Sequence, residues 1–401
     1  EVFMKFKRVF LIVMDSLGVG EMPDAKKFND EGSNTFVHIS QVCKGLNIPT
    51  LNSLGLYDIN NNIIGTSKIE HPHSYVARLK EESNGKDTMT GHWEMMGVLT
   101  TKPFKTFSEH GFPQSLIDEL EQKTGKKYIG NISVSGTKII NDLGERHLKT
   151  GEIILYTSAD SVLQLCANEK IVPVKELYHL CEVAREICMK EEYKVGRVIA
   201  RPFIGDNPSN FKRTPNRHDY ALSPSSYTYM ETLKDNNFDV ICVGKIADIF
   251  NGVGVTETYK SISNHNGMEI TNNIAKKDFT GLCFVNLVEF DSEYGHRRNP
   301  VGYGKCIEEF DQDLANLLPL LNDDDLLIIT ADHGNDPTFR GSDHTREKVP
   351  FIAYSKSYKD GKYLDERSSF ADMGRTIIEN FSLKKKDCQI GTIISELLED
   401  K

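Results

Sequence analysis

Short apolar runs that end in acidic or imidazole side chains constrain the fold of this chain most. The clearest run covers residues 326–330 and is followed by Ala331, Asp332, His333 and Gly334. An Ile- and Leu-rich run of this length, broken by glycine, predicts a buried parallel strand that ends in a turn. Asp332 and His333 therefore fall at the carboxyl end of a strand, the edge at which open α/β sheets bind ligands. Taken alone, the same turn is equally compatible with a solvated, capped loop.

Several other runs have the same character, and helical patterns separate them. The runs and the polar residues that follow them are 9–14 with Asp15, 238–244 with Lys245, 282–288 with Asp291 and His296, and 349–354. Apolar residues between Ile307 and Leu321 fall on one helical face, and residues 370–381 predict a closing helix. This alternation predicts an α/β fold with a mostly parallel sheet covered by helices on both faces.

The length of 401 residues exceeds what a single hydrophobic core usually holds, so we expect two domains. From Pro103 the pattern changes to short helices and strands and a basic loop over residues 211–220, and the stretch 223–226 indicates a linker. The predicted organisation is a discontinuous metal-binding catalytic core, residues 1–103 and 222–401. Residues 104–221 are predicted to form an inserted α+β cap domain that contacts the substrate.

The charge balance excludes some classes of partner. With 48 basic and 58 acidic residues, the formal charge of −10 argues against nucleic-acid and anionic-membrane partners. The eight cysteines are scattered without a Cys-x-x-Cys pair, which indicates reduced, buried thiols in a cytoplasmic protein. No apolar run approaches the length of a membrane span, and the expected localisation is cytoplasmic.

A hydroxyl group in the segment around Thr88 is the candidate nucleophile. A P-loop is not supported there, because Asp87 separates Lys86 from Thr88, and the glycines at 18 and 20 lack the third glycine of a dinucleotide fingerprint. Thr88 is instead expected on a short loop, where a metal ion can activate its hydroxyl at neutral pH. Thr90 is an alternative nucleophile, or else a loop hydroxyl that hydrogen-bonds the backbone.

The strand ends together supply enough ligands for two divalent cations. These candidate ligands are Asp15, Asp291, His296, Asp332, His333 and His344. Two ions about 3.5–4 Å apart can stabilise both the attacking and the leaving oxygen of an in-line phosphoryl transfer. A single histidine or aspartate of this set would more often be structural or a helix cap. Their joint occurrence at strand ends predicts a metal centre.

Longer strings carry a family resemblance over essentially the whole chain. The pattern of Asp15, Thr-x-x-Gly-His, Asp-x-x-x-x-His and Asp-His-Gly-Asn resembles the alkaline phosphatase superfamily. Within it, the chain resembles the bacterial phosphopentomutase family. The strings are Gly85-Lys86-Asp87-Thr88-Met89-Thr90-Gly91-His92-Trp93-Glu94, Thr157-Ser158-Ala159-Asp160-Ser161-Val162, Arg213-Thr214-Pro215-Asn216-Arg217-His218-Asp219-Tyr220 and Thr330-Ala331-Asp332-His333-Gly334-Asn335-Asp336.

The resemblance implies two Mn²⁺ ions and a phosphothreonine. It assigns Asp291, His296 and His344 to one ion, and Asp15, Asp332, His333 and the nucleophile to the other. In the related phosphoglycerate mutases the nucleophile stands in Asn-Ser-x-x-Gly-His, and this register selects Thr88 over Thr90. Asp87 replaces the asparagine of that motif, which fits the phosphopentomutase pattern.

The resemblance also implies substrate contacts. It assigns them to Ser158, Asp160, Arg197, Arg213 and Lys245. Arginine suits phosphate oxygens because its planar fork can donate two parallel hydrogen bonds. The surrounding basic concentration also includes Arg201, Lys212, Arg217 and His218. A solvated basic face is the alternative for Arg201, Lys212 and Arg217.

The expected function is the interconversion of ribose 1-phosphate and ribose 5-phosphate, and of the 2-deoxy forms, in nucleoside and pentose phosphate salvage. The expected activator is a sugar bisphosphate, ribose 1,5-bisphosphate or glucose 1,6-bisphosphate, and the expected state is a monomer acting on small molecules. Two alternatives remain: a phosphomonoester hydrolase on the same fold, and a non-catalytic metal-binding module. Mn²⁺, Zn²⁺ and Co²⁺ share these ligand types, so the metal stays open here.

Overall fold

The computed structural model describes residues 4–399, and the chain divides into two compact units. Unit 1 consists of Glu1–Pro103 and Ser223–Lys401, and unit 2 is the intervening Phe104–Leu222. The strands are β1 (Arg8–Met14), β2 (Ser74–Leu79), β3 (Tyr128–Ser133), β4 (Ile153–Thr157), β5 (Val162–Asn168), β6 (Arg197–Ile204), β7 (Lys212–Arg213), β8 (His218–Ala221), β9 (Asp239–Val243), β10 (Glu257–Tyr259), β11 (Gly281–Leu287), β12 (Asp325–Thr330) and β13 (Val349–Tyr354).

Helices connect most of these strands. They are α1 (Thr35–Val42), α2 (Pro49–Ser53), α3 (Leu56–Ile59), α4 (Thr88–Met95), α5 (Gln114–Thr124), α6 (Gly136–Thr150), α7 (Val174–Ile187), α8 (Tyr229–Asp235), α9 (Ile246–Ile249), α10 (Asn264–Ala275), α11 (Pro300–Leu317), α12 (Ala371–Asn380) and α13 (Ser395–Glu399). The described chain also has 3₁₀ turns at Ala25–Phe28, Glu191–Tyr193 and Leu318–Leu320, and a π-helical turn at Phe290–Gly295.

Unit 1 contains a seven-stranded sheet in the order β10-β9-β11-β1-β12-β13-β2. The first five strands of this order are parallel, while β13 is antiparallel to both of its neighbours. All residues of β1, β11 and β12 are buried, which explains their continuous apolar sequences. Because these adjacent strands are parallel, their carboxyl ends meet at one edge. The predicted mostly parallel α/β fold is confirmed.

Two groups of helices flank the sheet of unit 1. Helices α1, α2 and α10 pack on α11, and α4 and α8 pack on α12. The buried face of α11 includes Tyr303, Ile307, Phe310, Leu314 and Leu317, the three- and four-residue spacing of an amphipathic helix. The helices therefore bury the apolar side chains that both faces of a parallel sheet present.

Unit 2 has a sheet and a core of its own. Its six strands follow the order β3-β4-β5-β6-β7, and β8 also pairs with β6. The pairs β3–β4 and β5–β6 are parallel, whereas β4–β5, β6–β7 and β6–β8 are antiparallel. Apolar residues of α5 and α7 form a larger cluster with the sheet, and α6 contributes to a smaller one that includes Ile139, Ile154, Tyr156 and Phe203. Unit 2 is thus a mixed α+β unit.

Two local expectations were wrong, and some strands were not predicted. Residues 211–220 form strands β7 and β8 instead of a basic loop, because both pair with β6. Thr88 begins helix α4 instead of lying on a short loop, because the Asp87 carboxylate caps the helix and accepts the Thr90 N–H at 3.2 Å. One strand that was not predicted is the edge strand β2, which pairs with β13. Short and edge strands carry little hydrophobic alternation, so the sequence pattern missed them.

Two features concern the described chain as a whole. The eight cysteines are all free thiols, and Cys388 is exposed while six others are buried. None of the helices within residues 4–399 combines the length and the apolar character that a bilayer crossing requires.

Arg8, at the start of β1, forms a buried bidentate ion pair with Asp325 of β12. Its Nε and Nη2 donate to the two carboxylate oxygens at 2.8 and 2.6 Å, and both side chains are at most 3% exposed. We expect Arg8→Met to lower the free energy of unfolding by about 3–5 kcal/mol, because Asp325 is left buried and unpaired. Urea titration measures this loss. Lys7→Met is the matched control, since Lys7 pairs with the exposed Asp278 and should shift the midpoint little. Equal midpoints for the two variants would contradict the prediction.

Candidate metal centre

Carboxylates and imidazoles collect at the carboxyl edge of the sheet in unit 1. Asp15 directly follows β1, Asp332 and His333 follow β12, and Asp291 lies in the π-helical turn after β11. All four are buried, with 5% exposure or less. Because β11, β1 and β12 are neighbours, the three strand ends deliver these side chains to one place. His344 joins them from the segment between β12 and β13.

The first group of side chains surrounds Asp291. Its Oδ2 lies 3.1 Å from His296 Nε2 and 3.2 Å from His344 Nε2, and the two Nε2 atoms are 3.1 Å apart. Backbone carbonyls hold the opposite nitrogens: His296 Nδ1 is 2.6 Å from Ser342 O, and His344 Nδ1 is 2.9 Å from Lys86 O. Each Nδ1 therefore carries a proton, and each Nε2 is the nitrogen that faces Asp291 and is available to a cation.

The second group surrounds His333 and includes the candidate nucleophile. His333 Nε2 lies 3.4 Å from Asp15 Oδ1, 3.2 Å from Asp332 Oδ2 and 3.3 Å from Thr88 Oγ1. Its Nδ1 is 2.9 Å from the Gly334 carbonyl oxygen. The two groups adjoin, since the ring centroids of His333 and His344 are stacked 3.7 Å apart. The hydroxyl of Thr88 thus lies at the boundary of a continuous cluster.

These residues fit divalent cations. Asp15 Oδ1 and Asp332 Oδ2 are buried and lie 3.4 and 3.2 Å from His333 Nε2, but neither oxygen accepts a well-formed hydrogen bond from the described residues. A cation would satisfy both oxygens. Ligand atoms of Asp15, Asp291 and His333 lie within 4.8 Å of one another, as do those of Asp291, His296 and His344. Carboxylate oxygens combined with imidazole nitrogens suit Mn²⁺, Zn²⁺ and related ions.

The charges of the cluster shift the pKa values of its members. Burial raises the pKa of Asp15, and the charge of Asp332 raises it further. Burial also opposes ionisation of Asp291, but the charges of His296 and His344 outweigh it and hold the pKa of Asp291 well below its usual range. Burial lowers the pKa of His333, but the charge of Asp332 outweighs burial and raises this pKa well above its usual range, so a proton on His333 balances the buried carboxylates. Metal binding must displace such protons, so metal affinity should fall with decreasing pH.

Two supporting residues were not singled out from the sequence as site residues. Asn286 Nδ2 donates to Asp15 Oδ2 at 2.8 Å, and His92 Nδ1 lies 3.3 Å from Asp332 Oδ2. Both are almost completely buried. An amide inside the apolar run 282–288 was an available signal for Asn286. His92 stands one helical turn after Thr88, which was the signal for its position on the same face of α4.

The start of α4 packs closely on the strand end that carries Asp332. A Cβ atom at Gly91 would lie 2.3 Å from the Asp332 carbonyl oxygen, so only glycine permits this approach. The Thr90 hydroxyl donates to Asp87 Oδ1 at 2.7 Å and is thereby committed to the helix cap. The Thr88 hydroxyl faces the carboxylate–imidazole cluster. The structure therefore gives the two threonines different surroundings.

Arg346 holds the chain that leads to α4. Its Nη1 donates to the carbonyl oxygens of Ser83 and Gly85 at 2.8 and 2.6 Å and to Glu81 Oε2 at 3.0 Å. Arg346 is 3% exposed and stands two residues after His344. The segment that contains His344 and Arg346 thus supplies one histidine of the metal centre and also holds the loop before Thr88.

The residues assigned to substrate contacts occupy both units. In unit 1, Lys245 follows β9 and is exposed. In unit 2, Ser158 and Asp160 share the turn after β4, where the Asp160 N–H is 3.3 Å from Ser158 Oγ. Arg197 begins β6 beside the start of β5, so it lies near that turn. Arg213 ends β7 and pairs with Phe203 near the end of β6, so the two arginines lie at opposite ends of β6.

Comparisons with known proteins agree with a metal-dependent site. A family model described as the metalloenzyme superfamily matches residues 7–385. A phosphopentomutase of Agathobacter rectalis is 56% identical over 394 residues, covering 98% of this chain and 100% of the relative. A phosphopentomutase of Clostridium perfringens is 54% identical over 395 residues, with the same coverage. A solved Leishmania mexicana phosphoglycerate mutase aligns with 98% of each chain at 11% identity and a TM-score of 0.48.

Proposed function

The chain belongs to the metalloenzyme superfamily and, within it, to the phosphopentomutase family, and from this premise we propose how its residues act. It is an isomerase that moves a phosphoryl group between positions of a pentose phosphate. We propose ribose 1-phosphate and ribose 5-phosphate, with their 2-deoxy forms, as the pair of substrates. We also propose Thr88 as the residue that carries the phosphoryl group. The supporting observation is its hydroxyl, 3.3 Å from His333 Nε2 at the carboxylate–imidazole cluster.

We propose that the cluster holds two Mn²⁺ ions. The proposed ligands are Asp291, His296 and His344 for one ion, and Asp15, Asp332, His333 and Thr88 for the other. When bound, such ions lower the pKa of an alcohol and neutralise charge on a transferring phosphoryl group. The buried oxygens of Asp15 and Asp332 that accept no hydrogen bond from the described residues support this proposal. Asn286 and His92 would keep those two carboxylates oriented.

The chain itself favours a phosphoryl group on Thr88. Thr88 is the first residue of α4, and the positive end of a helix dipole stabilises a phosphate dianion. In the first half-reaction the bond from phosphorus to Thr88 Oγ1 breaks while a bond to the free sugar hydroxyl oxygen forms. The hydroxyl proton ends on Thr88 Oγ1, and the product is a sugar bisphosphate. The second half-reaction returns the other phosphoryl group to Thr88 and releases the isomeric monophosphate.

We propose that unit 2 acts as a substrate-binding cap. Ser158 and Asp160 would hydrogen-bond the sugar hydroxyls, and Arg197, Arg213 and Lys245 would bind phosphate oxygens. Ribose 1,5-bisphosphate or glucose 1,6-bisphosphate would place the first phosphoryl group on Thr88. We further propose a monomeric, cytoplasmic enzyme, in keeping with its free cysteines.

Product analysis tests the proposed reaction. Protein loaded with Mn²⁺ receives ribose 1-phosphate and a trace of ribose 1,5-bisphosphate, and ribose 5-phosphate and free phosphate are measured together. We expect ribose 5-phosphate to dominate, because the intermediate must pass its phosphoryl group to a sugar hydroxyl and not to water. Free phosphate as the main product would identify a hydrolase on the same scaffold. Chelator-treated protein provides the background rate for both products.

A further inference from the structure

A buried hydroxyl in unit 2 has no partner. Tyr156, on β4, is 1% exposed, and its Oη has no hydrogen-bond partner among residues 4–399. A Cβ atom at Gly136, the first residue of α6, would lie 2.5 Å from this oxygen. The hydroxyl is therefore directed at the first turn of α6. Burial without a partner is unfavourable, which indicates that something outside the chain completes the hydrogen bonding of Tyr156.

The first turn of α6 offers further donors. The helix is 15 residues long, and its cap residue Ser135 accepts the Lys138 N–H at 3.3 Å. The N–H groups of Gly136 and Thr137 come before the first intrahelical hydrogen bond, so the helix itself does not satisfy them. They also lie at the positive end of the helix dipole. This turn therefore favours an anion next to the Tyr156 hydroxyl.

Two arginines bring positive charge to the same place. A Cβ atom at Gly136 would lie 1.9 Å from Arg213 Nη2, so this guanidinium covers the first residue of α6. Arg201 Nε donates to Gln164 Oε1 at 3.1 Å, and Gln164 lies directly opposite Tyr156 in the pairing of β4 with β5. Burial lowers the pKa of Arg201, and the charges of Arg217 and Arg213 lower it further. Within the described chain neither Arg201 nor Arg213 forms an ion pair with a carboxylate, although the charge of Asp219 acts on Arg201 from a distance.

A neighbouring pair of arginines provides a contrast. Arg197 Nη1 lies 3.3 Å from Asp219 Oδ2, and Arg217 Nε lies 2.6 Å from Asp219 Oδ1. Asp219 therefore compensates Arg197 and Arg217. Arg201 and Arg213, in contrast, form no ion pair with a carboxylate among residues 4–399.

We propose that Tyr156, Arg201, Arg213 and the first turn of α6 form a phosphate-binding site within unit 2. Two guanidinium groups, one hydroxyl and two backbone N–H groups offer more donors than a carboxylate can accept, and their charge matches a phosphate monoester dianion. The family resemblance implied a role for Arg213 alone. Tyr156, Arg201 and the start of α6 are new members of the site. That the phosphate belongs to a sugar phosphate rests on the proposed function.

The proposal predicts an unusual combination of effects for Tyr156→Phe. The hydroxyl has no partner in the protein, so its removal should leave the melting temperature without phosphate unchanged or raised. The same change removes a donor to a charged ligand, so it should weaken binding of inorganic phosphate about tenfold. Tyr178→Phe is the matched control in unit 2, because the Tyr178 hydroxyl already donates to the Asn216 carbonyl at 2.8 Å. The control should leave phosphate binding unchanged.

The experiment uses the full-length protein loaded with Mn²⁺ and measures melting temperature against inorganic phosphate concentration. Phosphate bound at the metal centre is common to all variants, so the difference between Tyr156→Phe and wild type reports on unit 2. Arg201→Met, which removes charge instead of a hydroxyl, should weaken the phosphate effect in the same direction. Unchanged phosphate dependence in both variants would overturn the proposal. So would a lower melting temperature of Tyr156→Phe without phosphate together with unchanged phosphate dependence.

Kinetics then distinguish two sources of the phosphate. A KM for ribose 5-phosphate raised about tenfold at constant kcat would assign the site to the substrate phosphate. A raised half-activating concentration of ribose 1,5-bisphosphate at constant KM would assign it to the second phosphate of the bisphosphate. Because the melting experiment needs no turnover, an inactive protein that still shows the Tyr156 effect would refute the proposed function and retain the site.

Discussion

Thr88→Val should lower mutase kcat by about 10⁴-fold or more, since it removes the proposed nucleophile while keeping the shape of the side chain. The remaining cluster side chains should still bind Mn²⁺, because six of the seven proposed ligands are unchanged. The measurement combines steady-state conversion of ribose 1-phosphate with transfer of labelled phosphate from ribose 1,5-bisphosphate to the protein. We expect wild type to take up label and Thr88→Val to take up none.

Two further variants decide between the neighbouring threonines. Thr88→Ser keeps a hydroxyl at the start of α4 and should retain both labelling and measurable turnover. Thr90→Val removes a hydroxyl that donates to Asp87 at 2.7 Å, so it should weaken the helix cap while labelling persists. An active Thr88→Val together with an unlabelled Thr90→Val would reverse the assignment.

Removal of the metal should abolish turnover and also destabilise the protein. Buried oxygens of Asp15 and Asp332 accept no hydrogen bond from the described residues and lie close to His333, so a bound cation should stabilise the folded state. A cation present at 100 times its dissociation constant contributes about 2.7 kcal/mol. We therefore expect chelation to lower the melting temperature by several degrees, and added Mn²⁺ to restore both the melting temperature and activity. The measurements are thermal melts and metal content per chain.

A variant in one group of ligands refines this prediction. His296→Ala removes one proposed ligand of the ion on Asp291 and should lower the metal content from two ions towards one per chain. His265→Ala is the matched control, because His265 is an exposed histidine of unit 1 that pairs with Asp313 outside the cluster. It should leave metal content and turnover unchanged. Unchanged metal content in His296→Ala would contradict the assignment of this ligand.

The two groups of experiments probe different parts of the chain. Thr88 and the metal ligands belong to unit 1, whereas Tyr156 and Arg201 belong to unit 2. If a unit 1 variant loses activity but keeps the melting temperature of wild type, the substituted residue acts in the chemical step. A change in KM or bisphosphate requirement in unit 2 variants at constant kcat would identify binding.

The local sequence determined the central strands of the unit 1 sheet and the edge that carries the candidate site. Continuous apolar runs predicted β1, β11 and β12, and parallel strands place their carboxyl ends together. The carboxylates of Asp15, Asp291 and Asp332 could therefore be assigned to one edge before any contact was known. The start of α4 could not be predicted in this way, because the cap formed by Asp87 defines it. Strands β7 and β8 could not be predicted either, because their pairing with β6 defines them.

Only the tertiary structure decided how the side chains of the site are oriented. His344 presents Nε2 to Asp291 because its Nδ1 contacts the carbonyl of Lys86, 258 residues away in the sequence. Asn286 reaches Asp15 across 271 residues. Likewise, Tyr156 meets the start of α6 because the unit 2 sheet packs on that helix. Residue patterns report local periodicity and burial, whereas hydrogen-bond partners distant in sequence depend on the packed fold. The sequence therefore determined the strands and their ends, and the tertiary structure determined the side-chain contacts.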